Sequence, residues 1–383
     1  MDFRLTEDEE RFSNEVREFL RTALPNEVVE ERESGLGIGP HTWELMRRLG
    51  EKGWLTPTWP REYGGLNASP MYRYIIENEL DYFEGLPGGR LVGASMAGPT
   101  ILLYGTEEQK KEYLPRISRG EIEFVLGYTE PDAGSDLAAL QMRAVEDGDY
   151  YIINGQKMFN TRAHYAQYHW LAARTDPKAP KHKGISLFIV DLKSPGITVH
   201  PIWTVGGTRT NTVYYEDVKV PRENLVGEKN RGFYHIATAL DFERIFAVGG
   251  LKRTLEELVE YAKQNTLGKK PLVRQKLAGI AIEVEIAQLL AYRVIWLLSQ
   301  EIVPNYEAAM LKVFATELRQ RIDKIGLQIT GLYGQLQSGS KWAPVGGKLE
   351  HYYRDDLLVT IVGGTSEIMR NIIATRGLKM PRG

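Results

Sequence analysis

The sequence predicts an α+β chain in three parts: an N-terminal helical domain, a middle β-barrel or sandwich, and a C-terminal four-helix bundle. Three observations carry this reading. Apolar residues recur at helical spacing up to residue 120, the period shifts to two with dense turn signals as far as 232, and long helical stripes resume beyond Gly232. The boundaries follow as 1–120, 121–232 and 233–383. A chain of 383 residues is too long for one simple core, which agrees with that division.

In the first part, Thr6-Glu7-Asp8-Glu9 reads as a capping box ahead of Phe12, Val16, Phe19 and Leu20 at helical spacing. A second helix places Trp43, Met46 and Leu49 on one face before Gly53 ends it, and Pro57, Pro60, Gly64 and Gly65 make a loop. Thr106 and Gln109 cap a short helix carrying Tyr113 and Leu114. In the middle part Phe124-Val125-Leu126 reads as a strand. Asp147-Gly148 and Asn154-Gly155 flank Tyr150–Ile153, predicting a hairpin, and Ile185–Val190, Ile197–Ile202 and Thr212–Val220 continue as strands. The last part shows four long helical segments. One stripe is Val273, Leu277, Ile280 and Val284; another runs through Leu311, Phe314, Leu318, Ile322, Ile325 and Ile329.

Composition narrows the function. A formal net charge of -2 gives no general attraction to nucleic acid or acidic membranes. No apolar run approaches the ~20 residues of a membrane span, and Met1–Leu5 leads straight into an acidic helix start, so no secretory signal is expected. A cytoplasmic enzyme is the expectation. The absence of cysteine excludes disulfides, thiol nucleophiles and thiolate metal sites. The seven histidines form no His-Glu-x-x-His, and His164 and His169 are poorly spaced as helical ligands, so no metal is expected. There is neither a Walker-type loop nor GxGxxG; any dinucleotide binds without a Rossmann fold.

The central motif is Gly127-Tyr128-Thr129-Glu130-Pro131-Asp132-Ala133-Gly134-Ser135-Asp136-Leu137, a tight loop following a strand. Pro131 fixes one φ angle, Gly134 permits close backbone approach, and Thr129 and Ser135 offer neutral hydrogen bonds to a ring with several heteroatoms. Alone, this is either an ordinary polar loop or a ligand cradle. Its Thr-Glu-Pro-x-Ala-Gly-Ser-Asp run resembles the signature of the acyl-CoA dehydrogenase family of flavoproteins. The helix–barrel–helix order matches that family. So do Trp59–Gly65 and Tyr104–Gln109, which resemble its N-terminal domain, and the likeness spans nearly the whole chain.

The resemblance implies FAD as cofactor and assigns residues to it. Tyr128, Thr129, Gly134 and Ser135 would hold the flavin, with Ser135 also meeting the thioester. Phe159 stands where the family has an aromatic residue over the flavin, usually Trp, and Thr161 where a hydroxyl meets N5. If 159–161 is a strand, both side chains face one ligand, or else Phe159 belongs to the barrel core. Gly363-Gly364-Thr365-Ser366-Glu367-Ile368 resembles the family's C-terminal segment, with Thr365 and Glu367 at FAD positions and Gly364 at the substrate. Gln328 and Gly331 resemble a pyrophosphate segment in which Leu332 replaces a glycine. Gln275 keeps another FAD position contributed across a dimer, whose usual Arg is Gln264 here, with Arg274 as a substitute.

Many family members carry the catalytic Glu where Gly363 stands, and a glycine cannot take a proton. Isovaleryl- and long-chain-type members place it just before an Arg, which fits Glu243 and Arg244. On one continuous helix the same-face neighbours of Glu243 are Ala239, Ala247 and Gly250, small enough to leave a groove. Asp241 faces elsewhere and joins Arg244 as a substrate contact. The resemblance further implies α,β-dehydrogenation of an acyl-CoA within fatty-acid β-oxidation, an electron-transfer flavoprotein as acceptor, and a homotetramer or dimer of dimers. A flavin oxidase or monooxygenase on the same fold, or a non-catalytic subunit of a mixed tetramer, are the alternatives.

Overall fold

The computed structural model describes residues 4–86, 91–242 and 246–381, and the side chains of 238–242 lie outside that description. Among the described residues, six α-helices build the first part: α1 (Glu7–Ala23), α2 (Asn26–Glu33), α3 (Pro40–Glu51), α4 (Pro70–Tyr82), α5 (Gly98–Tyr104) and α6 (Glu107–Ser118). Both predicted capping boxes form. Thr6 and Thr106 each accept the N–H of the residue three places on, and Glu9 and Gln109 reach back to the cap N–H. The α1 stripe buries Val16 and Leu20 against Leu45, Met46 and Leu49 of α3 and Trp54.

The middle part is one eight-stranded mixed sheet: β1 (Phe124–Gly127), β2 (Arg143–Asp147), β3 (Tyr150–Lys157), β4 (Tyr168–Arg174), β5 (Ile185–Asp191), β6 (Ile197–Trp203), β7 (Arg209–Pro221) and β8 (Leu225–Val226). β1 runs parallel along β4 from Tyr168 to Leu171, and β2 takes over the same edge at Arg174, so the sheet splits there. Such a split lets the sheet curl around an interior of its own. β4 and β5 are buried on both faces. Trp170, Ala172, Leu187 and Ile189 pack on Trp59, Met96, Ile101 and Leu114 of the helical part, while Leu171, Ala173, Phe188 and Val190 fill the interior with Ile153 and Val213. Strands buried on both faces read as unbroken apolar runs. β4 was not predicted.

The hairpin forms, but Asn154-Gly155 does not end its second strand. β3 continues to Lys157 through a bulge opposite Asp217, whose backbone enters the left-handed region at φ 49°. The Asn154 amide exchanges two hydrogen bonds with Asp217, at 2.9 and 2.8 Å, so the turn-forming residue serves a bulge instead.

The last part holds α7 (Gly232–Phe242), α8 (Gly249–Gln264), α9 (Pro271–Ser299), α10 (Tyr306–Thr330), α11 (Lys348–Asp355) and α12 (Ser366–Ile372). The predicted stripes form the core: Leu277, Ile280 and Val284 of α9 meet Leu311, Leu318, Ile322 and Ile329 of α10 and Leu258 of α8. Tyr74 of α4 enters the same core, which joins the first and last parts. α7 turns away from it and buries Ile236 against the sheet and the helical part. Its described helix ends at Phe242 and α8 begins at Gly249. The groove read beside Glu243 assumed one unbroken helix. That is corrected here, since Ala247 stands in the connection and Gly250 belongs to the next helix.

Candidate active site

The loop after β1 is an arch pinned at both ends. At its start the Glu130 carboxylate accepts Lys157 Nζ at 2.7 Å and the amides of Gln141 and Met142 at 2.6 and 3.0 Å. At its far end Arg174 donates to the carbonyls of Leu140 and Ala138 at 3.0 and 2.7 Å. The crown between, with Gly134 and Ser135, is exposed. A Cβ built on Gly134 meets nothing within 4 Å, so the protein itself does not require glycine there, and that side of the arch is open to a ligand. Thr129 is half-buried, its carbonyl accepting Met158 N–H at 2.8 Å. Tyr128 turns its ring into the core between sheet and helices, leaving its main chain toward the arch.

Lys157 has no exposed surface, and burial pulls its ammonium down to about 8 despite the Glu130 charge. Beside it His169 donates to or accepts from Tyr215 at 2.7 Å; burial, then the Lys157 charge, lowers it to about 3, so it is neutral at pH 7. Gly127 is required by this ring, because a Cβ there would lie 2.4 Å from Nε2.

Residues 159–161 are not a strand. β3 ends at Lys157, and Phe159 is left-handed at φ 58°. This corrects the strand reading, and with 59% of its surface exposed Phe159 is not a barrel-core residue. Thr161 is exposed as well, its Oγ1 3.3 Å from that of Thr210. Asn160 between them is buried and holds the turn: its side chain donates to Leu126 O at 2.6 Å, its N–H donates to Asn211 O at 2.9 Å, and its carbonyl accepts the Asn211 side-chain amide at 2.8 Å.

Gly363 and Gly364 are both left-handed, at φ 63° and 94°. A glutamate at 363 would be strained in this backbone, although a Cβ there would meet only Lys312 at 3.8 Å. Lys312 Nζ donates to Gly364 O, and the Thr365 hydroxyl caps α12 through Ile368 N–H at 3.2 Å. Thr365 and Glu367 border a cleft of about 510 Å³ shared with Glu317, Arg321, Lys324 and Arg370. Lys276 Nζ donates to Gln328 at 2.5 Å at the end of α10, while the exposed Arg274 reaches back to Gly268 O at 3.5 Å and Gln275 is exposed. Gly331 follows there, left-handed at φ 64°.

The structure thus sets the arch beside the 159–161 turn and places Thr365 and Glu367 on one cleft; Gln328 and Gly331 stand at the end of α10, and no hydrogen bond joins Arg274 or Gln275 to them among the described residues. The β6–β7 turn meets α11, Thr208 Oγ1 donating to Asp355 Oδ1 at 2.8 Å. Glu243 and Arg244 lie outside the described residues, as does the Asp241 side chain. Sequence reading missed Glu130, Lys157, Asn160 and Arg174 as anchors. One signal was available for Lys157, which shares strand parity with the inward Tyr151 and Ile153.

The residues fit FAD. A large aromatic ring stands exposed beside a hydroxyl, the arch has open space at Gly134, and a cleft with three cations borders Thr365. Among the described residues no group of three or more His, Asp or Glu is arranged to hold a metal ion, and no helix is long and apolar enough to cross a membrane.

Residues 6–121, 125–218 and 230–378 match the N-terminal, middle and C-terminal domains of acyl-CoA dehydrogenase. Acyl-CoA dehydrogenase FadE29 of Mycobacterium tuberculosis is 39% identical, covering 99% of this chain and 98% of its own. The solved Tcur3481-Tcur3483 steroid acyl-CoA dehydrogenase superposes with a TM-score of 0.95 at 39% identity over 100% of both chains. The ChsE4-ChsE5 complex from Mycobacterium tuberculosis does so at 0.92 and 35%, again over 100% of both. With all three domains matched in order around the arch and its exposed turn, the chain belongs to the acyl-CoA dehydrogenase family of oxidoreductases.

Proposed function

We propose that this enzyme is an FAD-dependent acyl-CoA dehydrogenase that converts an acyl-CoA thioester to its 2,3-enoyl-CoA and passes the electrons to an electron-transfer flavoprotein. The observation that carries the mechanism is the left-handed, side-chain-free Gly363, which leaves the base to Glu243. Glu243 takes the α-proton, and closure against water strengthens its role by raising its proton affinity. The Gly363 N–H polarises the thioester carbonyl as negative charge develops on it. Bound FAD supplies the acceptor for the β-hydride. Phe159, Thr161, Thr129, Gly134 and Ser135 hold the flavin side; Thr365, Glu367, Gln328, Gly331, Gln275 and Arg274 hold the rest of the cofactor. Asp241, Arg244 and Gly364 orient the substrate. The units 1–120, 121–232 and 233–383 are part of this proposal.

The acyl group is proposed to be bulky and ring-bearing, a reading supported by the steroid enzyme among the similar structures. A mixed assembly with a second, different subunit is the alternative to a homotetramer, favoured by the two-chain names of both similar structures. The test is anaerobic bleaching of the flavin across straight-chain, branched and steroid side-chain acyl-CoAs. Glu243→Gln is expected to slow bleaching by the best substrate about 10³-fold. Near-wild-type turnover in that variant would sink the assignment of the base, and rapid reoxidation by oxygen would make the enzyme an oxidase.

A further inference from the structure

The turn that carries Phe159 and Thr161 sets these two outward-facing residues among side chains that anchor it. Phe159 and Thr161 are exposed, whereas Asn160 is buried and Arg162 and His164 are half-buried and bonded to neighbouring segments. Asn160 binds β1 and β7, His164 Nε2 lies 2.7 Å from Leu36 O, and Arg162 Nη1 donates to Glu123 Oε1 at 3.3 Å.

Glu123 has no exposed surface and stands just before β1. The oxygen that receives Arg162 also accepts the N–H groups of Val92 and Gly93, at 2.6 and 3.3 Å. Its main chain is fixed from the other side of the turn: Glu123 N–H donates to Gln167 Oε1 at 2.8 Å and its carbonyl accepts Gln167 N–H at 3.1 Å. One carboxylate oxygen therefore ties the 159–166 turn to the opening of the helical stretch that runs through Gly93–Ala97 into α5. Met96, Ala97 and Ile101 of that stretch share a core with Ile236 of α7, the helix leading to Asp241 and Glu243. Burial pushes the Glu123 carboxyl above its ordinary value, and Arg162 with the two amides offsets this in part. Losing either partner leaves a buried charge or two buried amides without their bond.

We propose that Glu123 and Arg162 are positioning residues, whose buried contact sets where the Phe159–Thr161 turn stands relative to the helical stretch from Val92 to Tyr104. This rests on the reading that Phe159 and Thr161 meet the flavin. The pair touches neither substrate nor cofactor; it acts through the turn. A displacement of about 1 Å at a reacting centre costs on the order of a hundredfold in rate, so the effect falls on kcat more than on KM.

The experiment compares Glu123→Gln, Arg162→Met, Arg162→Lys and the Glu123→Gln/Arg162→Met double variant in the full chain. Expected are FAD dissociation constants raised about tenfold in both single variants, equal to ~1.4 kcal/mol, with a shifted visible flavin spectrum. kcat falls about a hundredfold while KM stays within about threefold. Arg162→Lys recovers part of the loss, and the double variant is no worse than the poorer single one. Amide exchange at Val92 and Gly93 speeds up in Arg162→Met, although the change lies far along the chain. Should Arg162→Met not fold, Glu123→Gln and Arg162→Lys give the same comparison. Unaltered flavin affinity and spectrum alongside a lower Tm, or additive losses in the double variant, would overturn the proposal. A wild-type chain that binds no FAD overturns it together with the functional reading, whereas a yellow wild type with unresponsive variants overturns the positioning role alone.

Discussion

Lys157 Nζ lies 2.7 Å from Glu130 Oε1 in the interior, so the signature arch and the end of β3 are joined by a buried ion pair. The pair also orders its surroundings, since Nζ donates to Tyr128 O at 3.2 Å and Glu130 collects two loop amides. Lys157→Met strands the Glu130 charge and is expected to cost about 3–5 kcal/mol. Adding Glu130→Gln removes that charge and recovers part of the loss. Urea unfolding of the full chain checks this; a cost below about 1 kcal/mol for Lys157→Met would show that the pair is not under strain from burial.

Phe159 separates a ligand-facing role from a structural one. A core phenylalanine replaced by alanine costs about 3–5 kcal/mol, but this one is exposed and left-handed. Phe159→Gly is therefore expected to leave stability unchanged or raise it by up to about 1 kcal/mol, while FAD affinity drops. Tm and flavin titration are the measurements. A large fall in Tm with full FAD affinity would contradict the assignment.

Acid is expected to loosen the junction of the first and last parts. Glu84 meets Arg32 at 3.2 Å and Lys348 at 3.1 Å and accepts from Tyr352. Burial alone would raise its carboxyl, but Arg32 and Lys348 draw it down from 4.5 to about 2. A depressed carboxyl contributes stability that is present above pH 4.5 and is lost as pH falls toward 2, roughly 3 kcal/mol across that window. Glu84→Gln should be less stable at neutral pH and flatter in its acid dependence. Parallel acid unfolding curves for the two proteins would refute this.

Asp323 has the opposite sign. It is buried on α10; burial and then the Asp356 charge raise it from 3.8 to about 9, against the pull of Arg319. The folded state keeps a proton that the unfolded chain gives up, so this stabilising contribution is complete below pH 3.8 and falls away as pH rises toward 9. Asp323→Asn carries no such penalty and is expected to gain on the order of 1–3 kcal/mol at pH 8, with little change at pH 4. Calorimetric Tm against pH reads it, and a variant less stable at pH 8 would count against a raised Asp323 carboxyl.

The sequence by itself determined the elements whose causes are local. The capping boxes at Thr6 and Thr106 act within three residues, the α9 and α10 stripes repeat each turn, and the apolar run of β5 and the alternation in β6 belong to each strand alone. The family signature was legible too, because the arch is one unbroken stretch of chain.

Tertiary structure decided what depends on partners distant in sequence. Asn154-Gly155 has the chemistry of a turn, but β7 pairs past it and makes it face a bulge at Asp217. Lys157 and Glu123 look like surface charges until the sheet closes over them and supplies Glu130 and Arg162. The left-handed turn at Phe159 is held by Asn160 against β1 and β7, contacts that no local propensity contains. Local energies act over a few residues, whereas buried charges and strained backbone persist because contacts 27 to 51 residues away compensate them.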